Sequence, residues 1–373
     1  MNSKFAPPKE WFDTLKDVPE YWKGSVEDIE EVVKTIKKGK VTLGCKSAGG
    51  RNVYMIEYGE RNHFNRTATY GSAASDSDNN FAYADKNRDD IKPCLMMIGG
   101  VHGAEFEGIV AILNFIHMLE TGKDFKGESH PELIERVNDF HLIIIPCINP
   151  DGRARYPYNT VWGLPIETFR YFGQGSNKDG ELFGHPACKQ FHPIKEYSEF
   201  IGCYFNDDGV NINQDNLIPL AEETRFLIET AHEYAPDVTI DFHGACDSGA
   251  SIFTSELQPE KIQAEITRFE WTLCCDFEKE GIKYIQCPKR IRTNADFFPM
   301  CLNGQLFMAC GGVSMTYESN QGVSISPNHR GTQLLPYDGI YKAHLILYHH
   351  LFNFTEEIFE NRRSGKRSYL YGI

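Results

Sequence analysis

His102 and Glu105 are residues whose types and spacing can do chemistry. They stand three positions apart after an apolar stretch and two glycines, and an imidazole and a carboxylate are both zinc ligands. The spacing alone is weak evidence, because 13 histidines and 52 acidic residues in 373 positions give about two such pairs by chance, and two occur. The other pair, His117 and Glu120, is typical of the surface of a helix. A metal site therefore requires a third ligand and a catalytic group from other segments.

Two later apolar segments, Val238–His243 and Val313–Glu318, supply these groups. In a strand, alternate side chains share a face, which places Asp241 with His243 in the first segment and puts Glu318 on the polar face of the second. We predict that His243 is the third ligand and that Glu318 is the general base. Two histidines and one glutamate leave the fourth position of a tetrahedral zinc to a water molecule. Glu318 takes a proton from this water, and the resulting hydroxide attacks a carbonyl.

The elements that position these residues predict an α/β fold. Cys94–Ile98 and His141–Ile148 are apolar without alternation, which indicates strands buried on both faces. Between them, apolar residues recur at helical spacing from Ile109 to Leu119. This strand-helix-strand unit predicts a parallel or mixed sheet, with the candidate ligands in the crevice beyond the carboxyl ends of its strands.

The rest of the chain fits one domain. We expect residues 1–40 to form a helical N-terminal extension packed on the core, and residues 41–373 to form a single catalytic domain. Residues 60–90 are predicted as a polar surface insertion, and residues 153–216 as an irregular functional wall. Further predicted helices cover about 26–38, 221–234, 259–279 and 337–361, with a hairpin at 41–47 and 52–58 and strands near 237–242 and 282–287.

Composition excludes some classes of protein. Hydrophobic residues make up 41% of the chain and indicate a real core, and the formal charge of −14 argues against a nucleic-acid or anionic-membrane partner. No apolar run is long enough for a membrane span and the first ten residues lack a signal-peptide core, so we expect a soluble protein of undetermined compartment. Eleven scattered cysteines without a Cys-x-x-Cys spacing predict buried thiols and disfavour a cysteine zinc site.

Four motifs together resemble the zinc carboxypeptidase family, the carboxypeptidase A-like metallopeptidases. They are HGAE after an apolar strand, NPDG after the next one, IDFH at 240–243, and the glutamate in TYES. The resemblance runs from about Val41 to the last helix. It implies a mixed sheet of roughly eight strands flanked by helices and a peptide substrate. It also implies one Zn²⁺ per chain on His102, Glu105 and His243, with Glu318 as the catalytic glutamate.

The chain departs from the family pattern where the substrate binds. Family carboxypeptidases hold the substrate's terminal carboxylate with an Asn-Arg pair, but this chain has Asn213 and Gln214 in the matching stretch. A glutamine cannot form the charged bidentate clamp of an arginine. Asn211 replaces the family aspartate that orients a zinc histidine, so Asp241 or a backbone carbonyl is the candidate for that role.

The resemblance also implies an arginine for the oxyanion after the NPDG turn. Arg155 and Arg170 are the candidates, with Arg153 behind them, because an insertion prevents a residue-by-residue match. The function expected is hydrolysis of an amide bond by a zinc metallopeptidase. One alternative is a deacylase or amidase acting on acylated amino acids or cell-wall peptides, and a second is a non-catalytic, metal-stabilised binding protein.

Overall fold

The structure is a computed structural model that describes most of the 373 residues. The described residues are 6–15, 18–64, 67–71, 86, 88–184, 188, 192–197, 200–244, 249–284, 301–323 and 334–363. Their centre is a single sheet of seven strands. The strands are β1 (Lys40–Lys46), β2 (Asn52–Tyr58), β3 (Cys94–Ile98), β4 (His141–Ile145), β5 (Val238–Gly244), β6 (Ser251–Thr254) and β7 (Val313–Ser319).

The sheet is mixed, with a parallel centre. Its strand order is β1-β2-β4-β3-β5-β7-β6. Strands β4, β3, β5 and β7 run parallel to one another, whereas β1 pairs antiparallel with β2, β2 with β4, and β6 with β7. The predicted α/β fold with a largely parallel mixed sheet is confirmed, with seven strands in the described residues where the resemblance implied roughly eight.

Helices pack on the sheet and connect its parallel strands. Short 3₁₀ turns occur at Lys9–Thr14, Val137–Asp139 and Ile212–Gln214, and a π-helical turn occurs at Arg170–Gln174. The α-helices are α1 (Val26–Thr35), α2 (Glu107–Thr121), α3 (Pro131–Arg136), α4 (Pro150–Arg155), α5 (Ile166–Phe169), α6 (Glu222–Tyr234), α7 (Glu260–Lys279), α8 (Leu302–Cys310) and α9 (Tyr337–Arg363).

Both faces of the central strands are covered, which explains their unbroken apolar sequence. All five residues of β3 and all five of β4 are buried. Leu95 and Met97 pack into a hydrophobic cluster with α2 and α9, whereas Met96 and Ile98 pack into a second cluster with α6 and α8 on the opposite face. A strand buried on both sides needs no polar face, so it shows no alternation.

The N-terminal residues share the core of the sheet. Helix α1 begins with a capping box between Ser25 and Asp28 and ends at Thr35, before the predicted end near residue 38. Tyr21, Trp22, Ile29 and Val32 are buried in the same cluster as one face of the sheet. These contacts pack the segment on the core, while the division of the chain at residue 40 stays a prediction.

Some elements differ from the sequence prediction. Strand β6 and helix α8 were not predicted, and β4 ends at Ile145, three residues early. Of the strand expected at 282–287, the described part shows one bridge, between Ala250 and Tyr284, and residues 285–287 lie outside the described residues. Most of the predicted polar insertion, residues 72–85 in particular, also lies outside them.

Within the described part of the chain, the cysteines and the helices can be compared with the sequence prediction. All nine cysteines there are free thiols, five of them buried. Among the described helices, none combines the length and the apolar character that crossing a bilayer requires.

Candidate metal centre

His102 to Glu105 form a tight loop between β3 and α2. The backbone N–H of Glu105 donates to the carbonyl of His102 at 3.0 Å and closes the turn. A Cβ atom on Gly103 would lie 2.1 Å from the carbonyl carbon of Gly152, so glycine is required where the loop meets α4. Helix α2 begins at Glu107, and Glu105 therefore precedes the helix.

The loop and the end of β5 bring the three predicted ligands together. His102 Nδ1 lies 3.0 Å from each carboxylate oxygen of Glu105. His243 Nδ1 lies 2.9 Å from Glu105 Oε2 and 3.2 Å from His102 Nδ1. All three side chains are buried, and one ligand atom from each lies within 4.8 Å of the others.

This arrangement fits a zinc ion. A tetrahedral zinc with bonds of about 2.0–2.2 Å separates its ligand atoms by about 3.3 Å. The distances among the two Nδ1 atoms and the Glu105 carboxylate, 2.9 to 3.2 Å, are close to this value. The cluster contains three protein ligands among the described residues, which leaves a coordination position for water, as in catalytic sites.

The candidate ligands are ionisable side chains in a buried place. Burial alone would raise the pKa of Glu105, but the charge and hydrogen bonds of His102 and His243 hold the pKa of that carboxyl well below its usual range. Burial alone would lower the pKa of His243, but the carboxylates of Asp241 and Glu105 raise that pKa well above the usual value for histidine. The site therefore keeps Glu105 ionised and attracts a positive charge.

Asp241 contacts the ring of the third predicted ligand, His243. Its Oδ2 atom lies 2.8 Å from His243 Nε2, which turns the opposite ring nitrogen, Nδ1, toward Glu105. Thr316 on β7 donates its hydroxyl to the same carboxylate oxygen at 2.9 Å, and Asn303 on α8 donates to Thr316 at 3.1 Å. The sequence analysis named Asp241 or a backbone carbonyl as the candidate partner of a zinc histidine, and the structure places Asp241 against His243.

Tyr204 is a site residue that the sequence analysis missed. Its ring stacks on the His102 imidazole with centroids 3.7 Å apart and planes 2° from parallel. Phe169 meets the Tyr204 ring edge-on at 6.1 Å. The available sequence signal was the aromatic character of the wall at residues 153–216, but that pattern does not say which ring reaches the histidine.

Glu318 lies at the end of β7, beside the third predicted ligand. Strand β7 pairs with β5 in a register that places Glu318 opposite His243. The hydrogen bond between Thr316 and Asp241 shows that the polar faces of the two strand ends coincide. Glu318 is partly exposed, whereas the preceding Tyr317 is buried in the core. The predicted base therefore lies on the strand next to His243, at the same end of the sheet.

Asn213 and Gln214 lie in a 3₁₀ turn against the start of α8. The Asn213 side-chain oxygen accepts the backbone N–H of Leu302 at 3.1 Å, which satisfies an orphan donor at the helix N-terminus. Gln214 Nε2 lies 3.6 Å from the Cys301 sulfur. The side chain of Asn211 accepts the backbone N–H of Asn213 at 3.1 Å and so stabilises the turn.

The candidate arginines have different environments. Arg153 is buried and donates to three backbone carbonyls at 2.7 to 2.9 Å. Arg155 donates to two carbonyls of the 202–205 turn at 2.6 and 2.7 Å and to Asp207 at 2.5 Å. Arg170 is exposed in the π-helical turn. The contacts of Arg153 and Arg155 hold the wall in place.

The second histidine-acid pair has a structural role. Glu120 accepts the backbone N–H groups of Lys37, Lys38 and Gly39 at 2.8 to 3.1 Å, and it accepts the Tyr58 hydroxyl at 2.9 Å. The carboxylate therefore fastens the segment between α1 and β1 to α2. The sequence predicted an ordinary surface pair, whereas both side chains are partly buried and the Glu120 carboxylate has structural partners.

Comparison with known families gives a match for most of the chain. The sequence model of the zinc carboxypeptidase family matches residues 27–249. The matched range includes His102, Glu105 and His243, whereas Glu318 lies beyond it. No curated protein sequence gives a match.

Solved structures share the fold at low sequence identity. A metallo-carboxypeptidase from Burkholderia cenocepacia is 14% identical, with a TM-score of 0.53 over 88% of this chain and 69% of the other. A metallo-carboxypeptidase from Pseudomonas aeruginosa, in complex with (2-guanidinoethylmercapto)succinic acid, is 13% identical, with a TM-score of 0.53 over 89% and 69%. Carboxypeptidase A from Helicoverpa armigera is 14% identical, with a TM-score of 0.50 over 96% and 80%.

These likenesses establish the fold, and the family match covers more than half of the sequence. The three buried ligand atoms lie at the carboxyl end of the central strands, where α/β sheets place their sites. The chain belongs to the zinc carboxypeptidase family and is a zinc metallopeptidase.

Proposed function

We propose that the chain is a zinc-dependent hydrolase that cleaves an amide bond, as a metallo(carboxy)peptidase with Glu318 as general base. One zinc ion per chain would be held by His102, Glu105 and His243. The observation that carries the proposal is the convergence of one ligand atom from each of these buried residues within 4.8 Å. Membership of the zinc carboxypeptidase family supports the same class of chemistry.

The residues around the centre have complementary roles in this proposal. Zinc, when bound, supplies a polarised water and an electrophile for the substrate carbonyl. Glu318 is partly exposed opposite His243, which suits a carboxylate that accepts a proton from water and later gives it to the leaving amine. Asp241 holds the His243 ring by its Nε2 atom, so that Nδ1 stays directed at the metal position.

For the developing oxyanion we propose Arg170. A guanidinium stabilises an oxyanion only if it can approach the substrate carbonyl. Arg170 is exposed, whereas both terminal nitrogens of Arg155 already donate to carbonyls of the wall or to Asp207. Arg155 is therefore the weaker of the two candidates.

Asn213 and Gln214 are proposed as the substrate-binding pair. Both are neutral amides, and Gln214 stands where family members have the arginine that grips a terminal carboxylate. A neutral pair binds a carboxylate more weakly than a bidentate arginine does, because charged hydrogen bonds are roughly twice as strong. This replacement favours a second candidate function, a deacylase or amidase acting on acylated amino acids or cell-wall peptides.

We also propose that residues 41–373 form the catalytic domain and that residues 1–40 are an extension packed on it. Trp22 Nε1 donates to the carbonyl of Asn159 at 2.8 Å, and Glu120 binds the backbone of residues 37–39.

A third candidate function is a metal-stabilised binding protein without turnover. The presence of Glu318 weighs against it, because a scaffold would have no need of a carboxylate beside an open coordination position.

Metal analysis combined with a matched substrate screen tests these proposals. The screen compares one peptide with a free carboxyl end, the same peptide with an amidated end, and N-acyl amino acids. We expect one zinc per chain and hydrolysis that stops on chelation and returns with zinc. Zinc-loaded protein that hydrolyses none of these amides would favour the binding protein, and preference for the acylated substrates would favour the deacylase.

A further inference from the structure

Gln321 is a buried glutamine three residues beyond Glu318, in the segment that leaves β7. Its Nε2 atom donates to the carbonyl of Ala104 at 3.1 Å and to Glu107 Oε2 at 3.2 Å. Ala104 lies between two of the metal ligands, and Glu107 begins helix α2. One side-chain amide therefore joins the exit of the catalytic strand to the loop that carries His102 and Glu105.

The same side chain also packs against the end of β5. A Cβ atom on Gly244 would lie 2.4 Å from Gln321 Cδ, so the glycine after His243 provides the space for the amide. The backbone N–H of Gly244 donates to Glu105 Oε2 at 3.2 Å. Ser319 also connects the ends of β7 and β5, because its hydroxyl donates to the carbonyl of His243 at 3.2 Å.

These contacts connect three segments around the metal position. The ligand loop, the end of β5 and the exit of β7 come from distant parts of the sequence, and Gln321 belongs to the last and touches the other two. An amide with two N–H groups suits this place, since it can donate to a carbonyl and a carboxylate at once. Leucine at this position would leave a buried carbonyl and a buried carboxyl group without these donors.

We infer that Gln321 is a positioning residue, which fixes the ligand loop and Glu318 relative to each other. The inference deepens the proposed function and rests on it for activity, but its effect on metal binding is independent of turnover. Partners that orient metal ligands contribute roughly 10- to 100-fold to metal affinity or activity. Loss of both donors should therefore weaken zinc binding and slow catalysis more than it changes substrate binding.

The test compares Gln321→Leu with Gln258→Leu. Gln258 is a matched control, because it is also buried and its side chain bonds both backbone groups of Ser314, at the start of β7. We expect Gln321→Leu to lower zinc affinity about tenfold or more in a chelator competition. We expect kcat to fall by a similar factor with KM within about threefold. Gln258→Leu should lose thermal stability but keep both values within about twofold.

A second pair of variants separates hydrogen bonding from packing. Gln321→Glu places a carboxylate beside Glu107, and adding Glu107→Gln restores a donor and an acceptor between the two positions. The double variant should recover at least about threefold of the zinc affinity lost in Gln321→Glu. Zinc affinity within twofold of wild type in folded Gln321→Leu, or no recovery in the double variant, would overturn the inference. If the wild-type chain cleaves no amide, the zinc competition still decides it.

Discussion

Replacing Asp241 with asparagine tests how the protein holds its third metal ligand. The Asp241 carboxylate is buried, lies 2.8 Å from His243 Nε2 and accepts the Thr316 hydroxyl at 2.9 Å. Asparagine has the same shape, and its oxygen can still accept one of these bonds. The substitution therefore removes the negative charge behind the imidazole with little change in packing.

The expected loss follows from the role of such partners. A carboxylate behind a ligating histidine fixes the ring and raises its basicity, and its removal costs roughly 10- to 100-fold in metal affinity. That range corresponds to about 1.4 to 2.8 kcal/mol of zinc binding free energy. We expect Asp241→Asn to lie within it, as measured by competition with a fluorescent chelator at fixed pH, with thermal melts to confirm that the variant folds.

Thr316→Val provides the matched control for this prediction. It removes the hydroxyl donor to Asp241 but keeps the carboxylate and the volume of the side chain. Its zinc affinity should fall by no more than about threefold, because the charge behind His243 remains. A folded Asp241→Asn variant that binds zinc within twofold of wild type, or a Thr316→Val variant that loses as much as Asp241→Asn, would refute the reasoning.

Three further predictions concern catalysis, substrate and pH. Glu318→Gln should retain one zinc per chain but lose about 10²- to 10⁴-fold in kcat, and an unchanged rate would reject the base. Gln214→Arg should raise kcat/KM for free-carboxyl over amidated peptides at least about tenfold, and no change in this ratio would place the carboxylate site elsewhere. Burial raises the pKa of Glu270 to about 7, against which the Tyr284 hydrogen bond acts. The pKa of Glu270 in the folded protein therefore exceeds its pKa in the unfolded chain. Because of this difference, the contribution of Glu270 to the free energy of unfolding is present at acid pH and is lost as pH rises toward 7. Glu270→Gln should therefore show a smaller fall in Tm than wild type between about pH 5 and pH 7.5, and equal falls would contradict this.

The candidate metal ligands could be predicted from the sequence because their sequence patterns are local. His102 and Glu105 follow a strand and a glycine turn, and alternation within single strands placed Asp241 with His243 and put Glu318 on a polar face. These patterns depend on the periodicity of the backbone, which can be recognised in the sequence without knowledge of distant contacts. The unalternating strands β3 and β4 predicted the parallel centre of the sheet for the same reason.

Contacts between distant segments could not be predicted in this way. Tyr204 reaches His102, and Gln321 reaches Ala104, across more than 100 residues of sequence. Helix α8 has apolar residues around its circumference because it is almost entirely buried, so it lacks the one-sided periodicity that identifies a helix. Arg155 was a candidate for the oxyanion because it follows the NPDG turn. Its bonds to the turn at 202–205 depend on how the wall folds and could not be predicted from the sequence.

A crystal structure of the zinc-loaded protein, with anomalous data collected on both sides of the zinc absorption edge, tests the central claim most directly. The account predicts one strong anomalous peak per chain, about 2.0–2.2 Å from Nδ1 of His102, Nδ1 of His243 and the carboxylate of Glu105. Glu318 should face the open side of the ion. An anomalous peak bound by other residues, or no peak near these three in protein that contains stoichiometric zinc, would contradict it.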